Sequence, residues 1–174
     1  MYLPPSNPLI MKTTNRLLIL ITIVLLSFSN TTYGQKDSIL VRKARTIILN
    51  VNVAEITNKT INEHSNFGQG KDSSNEEFTI YANVGDIIIW KGLPYGESTE
   101  GDIVNITGIH HRNGNDIFSK NMLSGNGGEP EKVVGLVLNL APKGMEYKYK
   151  IFFTVIHDGK KKHYHIDPKI QVDD

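Results

Sequence analysis

Apolar and polar residues alternate over short stretches of the chain beyond its N-terminal region, which is typical of β-strands with one buried face. The longest such stretch, Met145–His157, has aromatic or aliphatic side chains at every second position from Tyr147 to Val155. Asp158-Gly159 follows it and is typical of a two-residue hairpin turn. A return strand is therefore predicted at Lys160–Ile166.

A two-residue turn fixes the register of this predicted hairpin. It pairs Phe152 with His165 and Phe153 with Tyr164, so that Tyr164 lies on the apolar face. Because side chains alternate between the two faces of a strand, His163 and His165 share the other, solvent-facing side.

The rest of the domain is also predicted as strands separated by loops. Further strands are predicted at Thr46–Ile56, Phe78–Ala82, Asp86–Lys91, Ile103–Ile109, Val133–Leu140 and Lys169–Val172. Loops are predicted at Thr57–Asn75, Gly92–Gly101 and His110–Glu131, which are polar or rich in glycine. No stretch beyond the N-terminal region shows a helical period, so the pattern predicts an all-β sandwich of about seven or eight strands.

The N-terminal region has the order of a secretory signal peptide. Lys12 and Arg16 precede an apolar run, Leu17–Leu26, and a tract of small residues, Ser27–Gly34, follows that run. Cleavage is predicted before Gln35. The alternative is a retained membrane anchor, but a spanning helix needs about 20 apolar residues and this run is roughly half as long.

The predicted organisation is a signal peptide at residues 1–34 and a single domain at residues 35–174. The domain is expected to be secreted or periplasmic, with no membrane span after cleavage. Met11 is an alternative translation start, because prolines between Met1 and Met11 do not fit the beginning of a signal peptide.

Charge and cysteine content exclude several functions. The chain carries 19 basic and 18 acidic side chains, a balance that provides no positive field for a nucleic acid backbone. It contains no cysteine, which excludes disulfides, thiolate metal sites, thiol catalysis and a lipoprotein anchor. It has no nucleophile elbow, no His-Glu-x-x-His motif and no phosphate-binding loop, so the chain is not predicted to be an enzyme.

Three short motifs point to a known fold family. Val84–Trp90 has the sequence of a turn followed by a strand, Gly144–Tyr149 has tyrosines at alternate positions after a glycine, and Asp167–Val172 is a short closing strand. Together they resemble the cupredoxin-like β-sandwich, the family of plastocyanin and azurin. The resemblance spans residues 46–172 and implies a Greek-key arrangement of the strands.

In that family a type 1 copper ion is held by two histidines, one cysteine and usually a weakly bound axial methionine. The resemblance implies that the corresponding positions lie at Ile103–Asn105 and Ile151–Phe153, which carry apolar or amide side chains. Since the chain also lacks cysteine, the resemblance implies a cupredoxin-like frame without blue copper.

Histidines are the remaining candidates for metal ligands, because neutral imidazole binds Cu²⁺ or Zn²⁺ without a thiolate. The candidates are His110, His111, His163 and His165. His163 and His165 share their predicted strand face with Lys148 and Lys150, whose positive charges oppose a bound cation. We therefore favour a solvated strand face, with a His-only copper or zinc site and a pH-responsive patch as alternatives.

Trp90 is the single tryptophan and follows three isoleucines, which favours a position in the core. The alternative is a ligand platform that Trp90 forms with Tyr95, since exposed aromatic rings beside glycine-containing loops stack on sugars.

These features predict an exported, non-catalytic binding or structural module whose loops contact an extracytoplasmic protein or a glycan. No cofactor is expected. The alternative function is metal binding at a His-only copper or zinc site.

Overall fold

The structure is a computed structural model that describes residues 42–70, 72–114, 116–138 and 146–173. The predicted signal peptide, its cleavage site and the alternative start at Met11 lie outside the described residues. Within these ranges, no helix has the length and apolar character needed to cross a membrane.

Ten β-strands and one short helix make up the regular structure of the described residues. In chain order they are β1 (Ala44–Asn52), α1 (Ile61–His64), β2 (Ser65–Asn66), β3 (Thr79–Asn83), β4 (Ile87–Tyr95), β5 (Ile103–Asn113), β6 (Met122–Ser124), β7 (Val133–Leu136), β8 (Glu146–His157), β9 (Lys160–Ile166) and β10 (Lys169–Asp173). The predicted all-β class is confirmed.

The strands form two sheets, as expected of a β-sandwich. The first sheet has the order β2-β1-β4-β7, and the second has the order β3-β10-β8-β5-β6, with β9 beside β8. β1 runs parallel to β4 and β3 runs parallel to β10, whereas the other paired strands are antiparallel. Because β3 and β4 belong to different sheets, as do β6 and β7, the chain repeatedly crosses between the two.

An aromatic contact joins the two sheets inside the core. Trp90 on β4 and Tyr149 on β8 are 1% and 3% exposed. The Trp90 Nε1–H donates to the Tyr149 hydroxyl over 3.4 Å, and the two ring centroids are 5.9 Å apart. Phe118 packs edge-on against Trp90. Burial raises the pKa of Tyr149 above its usual range, so its hydroxyl remains protonated.

The predicted hairpin and its register are confirmed. β9 covers the predicted segment, and the pairs Phe152–His165 and Phe153–Tyr164 form as the two-residue turn requires. Asp158 and Gly159 both have positive φ angles, 50° and 69°, which is the conformation of the expected turn type. Phe153 and Tyr164 stack with a centroid distance of 5.4 Å.

The predicted loop Gly92–Gly101 starts too early, because β4 continues to Tyr95. Residues 92–95 pair with the end of β1, which supplies the backbone hydrogen bonds that local glycine and proline signals do not reveal. Pro94 is tolerated because, among the described residues, β7 pairs with β4 only at residues 87–90 and no strand pairs with that edge of β4 at Pro94. At Gly92, Val104 lies so close that a Cβ atom would collide with it.

Other predicted boundaries also shift. The predicted loop Thr57–Asn75 contains α1 and β2, and the predicted loop His110–Glu131 contains the end of β5 and all of β6. Two predicted strands are shorter than expected, since β1 ends at Asn52 and β7 ends at Leu136. For the strands, the observed pairing with another strand, rather than local composition, sets where the element begins or ends.

Replacing Gly159 by alanine tests the hairpin turn. We expect the free energy of unfolding to fall by about 1–2 kcal/mol, because alanine must adopt the left-handed conformation there. Gly70→Ala is the matched control, since both positions have room for a methyl group but no positive φ is found at Gly70. Urea denaturation measures both variants, and equal effects would contradict the role of the turn.

Candidate functional site

A folded polar segment connects the two sheets on one side of the domain. Residues 57–70 and 72–76, the connecting segment, link β1 to β3 and include α1 and β2. Asn75, which is 1% exposed, lies at the centre of the hydrogen-bond network of this segment. The Asn75 Nδ2 group donates to the backbone oxygen and the hydroxyl of Ser65 over 3.2 and 3.0 Å, and Asn75 Oδ1 accepts from Gln69 Nε2 over 3.0 Å. One buried amide therefore ties together three parts of the segment.

Two further contacts hold the connecting segment in place. Gln69 Oε1 accepts a hydrogen bond from the backbone N–H of Phe67 over 2.6 Å, and Phe67 stacks on Phe78 with a centroid distance of 4.5 Å. The side chain of Asn62 is bonded at both ends, since its oxygen accepts from the Asn75 backbone N–H and its nitrogen donates to Glu76. The polar side chains of this surface are therefore held in set positions.

Two neighbouring cavities that share lining residues adjoin the connecting segment, and a third lies between its first residues, Thr57 and Asn58, and β9. The larger, of about 430 Å³, is lined by Asn62, Glu63, Ser65, Asn66, Gln69, Gly70, Ser73 and Tyr95. The smaller, of about 270 Å³, is lined by Asn58, Lys59, Thr60, Ile61, Asn62, Glu63, Glu76, His165, Ile166 and Asp167. Asn62 and Glu63 border both cavities, so the two are neighbours on the same surface. Both volumes approach or fall within the range typical of small-ligand sites.

The two residues of the predicted aromatic platform are separated by the fold. Tyr95 is 36% exposed at the end of β4 and borders the larger cavity. Trp90 lies in the core, because β4 places it on the inner face, opposite to the face of Tyr95. The interpretation of Trp90 as part of a ligand platform is therefore wrong. Of the two predicted platform residues, only Tyr95 is exposed.

Three of the histidine candidates lie on the outer face of the second sheet. His163 and His165 are exposed on β9, and their partners on β8 are Thr154 and Phe152. The ring of Phe152 separates His165 from His110, with centroid distances of 6.2 and 6.5 Å to the two imidazoles. The rings of His110, Phe152 and His165 therefore form a row across three strands, in which the two imidazoles are not in contact.

His111 lies apart from the other candidates, since the neighbouring residue on a strand points to the opposite face. Its Nε2 atom is buried and has no hydrogen-bond partner among the described residues. In the described part of the chain, no three histidine, cysteine, aspartate or glutamate side chains are grouped closely enough to hold a metal ion. The four histidine candidates are thus not brought together.

The positions that the cupredoxin resemblance assigns to copper ligands are packed or hydrogen-bonded. Val104, Ile151 and Phe153 are buried in the core. Asn105 is 7% exposed, and its side-chain oxygen accepts a hydrogen bond from the backbone N–H of Glu131 over 2.6 Å. These side chains fill the region with apolar contacts and a structural hydrogen bond.

An aspartate–histidine pair joins the loop after β4 to the tip of the hairpin. His157 Nδ1 lies 3.1 Å from both carboxylate oxygens of Asp102, whose side chain is 2% exposed. The backbone N–H of Thr99 donates to the same carboxylate over 2.7 Å. This backbone hydrogen bond, more than His157, lowers the pKa of Asp102, against a smaller opposing effect of desolvation.

The outer face of the first sheet carries exposed aliphatic side chains. Ile48 on β1, Leu93 on β4 and Val134 on β7 are each between 42% and 49% exposed. Leu93 and Tyr95 lie two residues apart on the same face of β4, so this apolar surface extends to the edge of the larger cavity.

Sequence reasoning missed the residues that build this site. Nothing in the local pattern around Asn75 distinguishes it from the other polar residues of a predicted loop, although it is buried. Likewise, Asp102 and His157 are 55 positions apart, and only the pairing of β5 with β8 brings them together. The sequence signals for this site were the long polar loop Thr57–Asn75 and Tyr95, an aromatic residue beside glycine and proline.

Comparisons with known proteins give little further information. No family model matches the chain, and no curated protein matches its sequence. A solved structure with some similarity is the inclusion body protein PixA from Burkholderia cenocepacia. It is 12% identical with a TM-score of 0.46, and the match covers 76% of this chain and 96% of that chain. This distant likeness carries no function to the present chain.

Asn75→Ala tests whether one buried amide holds the connecting segment. We expect the free energy of unfolding to fall by about 1–3 kcal/mol, because the variant leaves partners of the amide, such as the Ser65 hydroxyl, without their hydrogen bonds. Asn58→Ala, at an exposed position of the same segment, is the control and should change it by no more than about 0.5 kcal/mol. If urea denaturation gives the same small effect for both variants, the Asn75 side chain does not hold the connecting segment in place.

The lowered pKa of Asp102 predicts a contribution to acid stability. A carboxyl group with a lowered folded-state pKa stabilises the fold above its unfolded pKa of about 3.9 and loses this effect as the pH falls through the folded value. Asp102→Asn should therefore reduce the loss of stability below about pH 4. Part of that loss should remain, because the pKa of Asp86 is also lowered: burial opposes its ionisation, but hydrogen bonds from Asn83 and Arg45 outweigh burial. Denaturation midpoints that depend on pH as in the parent protein would refute the prediction.

Proposed function

We propose that this chain is an exported, non-catalytic binding module on a cupredoxin-like frame without blue copper, and that the connecting segment is its binding surface. The observation that carries the proposal is the network around Asn75, which holds a polar surface with two cavities against the sandwich. A surface whose side chains are already positioned loses little conformational entropy when a partner binds.

The packing of the three resemblance motifs supports the cupredoxin-like frame. Trp90 of the first motif contacts Tyr149 of the second, and Ile170 of the third pairs with Tyr147 in the second sheet. Strands that are distant in sequence are neighbours in both sheets, which is compatible with Greek-key connections. The buried apolar side chains at the copper-ligand positions support a frame that has lost blue copper.

The signal-peptide pattern of residues 12–34 supports export, to a secreted or periplasmic destination. The partner would then be an extracytoplasmic protein or a glycan. The competing function is a His-only copper or zinc site, but its histidines are divided by Phe152 and lie next to Lys150.

Two measurements on the exported protein test export and metal binding together. N-terminal sequencing is expected to start at Gln35, and metal analysis of protein purified without chelator is expected to find far less than one copper or zinc ion per chain. Retention of the apolar run Leu17–Leu26 would contradict export. A full equivalent of metal that is lost in His163→Ala or His165→Ala would replace the proposal with the metal-binding function.

Nuclear magnetic resonance tests the binding surface. The isotope-labelled exported protein is mixed separately with the polysaccharide fraction and the protein fraction of the envelope of the producing cells. At least one fraction is expected to shift resonances of the connecting segment and of Tyr95, and not those of Lys160 and Lys161, which are exposed on β9 and line neither cavity. Shifts confined to Lys160 and Lys161, or no shifts with either fraction, would contradict the proposed surface.

A further inference from the structure

We propose that the larger cavity binds an uncharged oligosaccharide, with the ring of Tyr95 stacked against the face of one sugar. This assignment rests on the proposed function and names the ligand class of the same surface.

The lining of the larger cavity has the chemistry of a sugar site. Apart from Gly70 and Tyr95 it consists of amide and hydroxyl side chains and a single carboxylate, that of Glu63. A sugar hydroxyl both donates and accepts hydrogen bonds, and an amide side chain offers both a donor and an acceptor in return. Among the described residues that line this cavity there is no lysine or arginine, so none of them offers a countercharge to an anionic group such as a phosphate.

The side-chain amide of Asn66 is held in place through its oxygen, while its N–H groups make no hydrogen bond to the described residues. Its Oδ1 atom accepts hydrogen bonds from the backbone N–H of Gly68 over 3.0 Å and from Asn50 Nδ2 over 3.3 Å. Among the described residues, its Nδ2 group donates to no protein acceptor. Because Asn66 borders the cavity, this nitrogen is available to a ligand hydroxyl.

Tyr95 is positioned by the end of β4. It lies opposite Asn52 of β1, and the chain leaves the strand at Gly96, which has a φ of 80°. The positive φ at Gly96 is a conformation that favours glycine, and a Cβ atom there would also lie 2.9 Å from Asn52 Oδ1. A tyrosine at the end of a paired strand presents a large, amphipathic ring with few rotatable bonds, as aromatic contact residues in binding sites do.

The two neighbouring cavities favour a chain of sugars over a single sugar. Beyond Asn62 and Glu63, the smaller cavity continues the same surface with further polar side chains and with the charged side chains of Lys59, Glu76 and Asp167. Side chains that border both cavities can contact adjacent sugar units, so affinity should increase with oligosaccharide length until both cavities are filled.

The experiment titrates the exported protein with cellohexaose, chitohexaose, maltohexaose and mannohexaose, and with the matching disaccharides. A hexagalacturonate serves as the anionic comparison. Binding is followed by calorimetry and mapped by nuclear magnetic resonance. At least one neutral hexasaccharide should shift resonances of Asn66, Gln69 and Tyr95 and should bind more tightly than its disaccharide.

Tyr95→Ala and Tyr81→Ala form a matched pair of variants. Tyr81 is 55% exposed on β3 and lines neither cavity, so its loss should leave binding of the hexasaccharide within about twofold of the parent protein. Loss of the Tyr95 ring should weaken it about tenfold or more. Thermal unfolding of each variant confirms that a loss of binding is not a loss of fold.

Three results would overturn the assignment. They are equal effects of the two tyrosine variants, tighter binding of hexagalacturonate than of every neutral oligosaccharide, and no binding of any oligosaccharide. The last result separates the two proposals. If the protein fraction still shifts resonances of the connecting segment, the proposed binding module is supported and only the sugar assignment is refuted. If neither fraction shifts these resonances, both proposals are refuted.

Discussion

The contact between Trp90 and Tyr149 is the interaction on which the two-sheet arrangement depends. It brings the only tryptophan of the chain, on β4, against Tyr149 on β8, one strand from each sheet, with a hydrogen bond inside the core. Phe118, from the segment between β5 and β6, closes the same cluster. Without disulfides, burial of such large side chains must supply most of the stability of the domain. The same burial removes Trp90 from any role on the surface.

Different interactions hold the polar surface of the connecting segment against the sandwich. Its position rests on hydrogen bonds around Asn75 and Asn62 and on the stacking of Phe67 on Phe78, rather than on a core of its own. Buried polar groups are costly unless they are satisfied, so a network with these partners favours one arrangement of the segment over others. We therefore propose that the segment is a preformed binding surface and not only a connection, and that Tyr95, which β4 places beside it, is the aromatic residue that contacts the ligand.

The sequence predicted those parts of the fold that depend on local pattern. The strand β9, the turn at Asp158-Gly159 and the pairing of Phe153 with Tyr164 follow from alternation and a two-residue turn, which act over neighbouring residues. The extension of β4 to Tyr95 could not be predicted in this way, since it depends on parallel pairing with β1, about 40 residues earlier. The same holds for the burial of Asn75 and for the contact of Asp102 with His157, because tertiary partners decide whether a polar residue is buried. Of the site itself, the sequence predicted the loop Thr57–Asn75 as a contact surface and Tyr95 as a candidate contact residue, but not the hydrogen bonds that order the loop.

Residue-resolved hydrogen exchange of the purified protein, without ligand, tests the central claim that the connecting segment is a preformed surface. The backbone N–H of Asn75, bonded to Asn62, and that of His64, bonded to Thr60, should exchange within about tenfold of the amides of β1. Exchange of both amides at the rate of an unfolded chain, while β1 stays protected, would contradict the account.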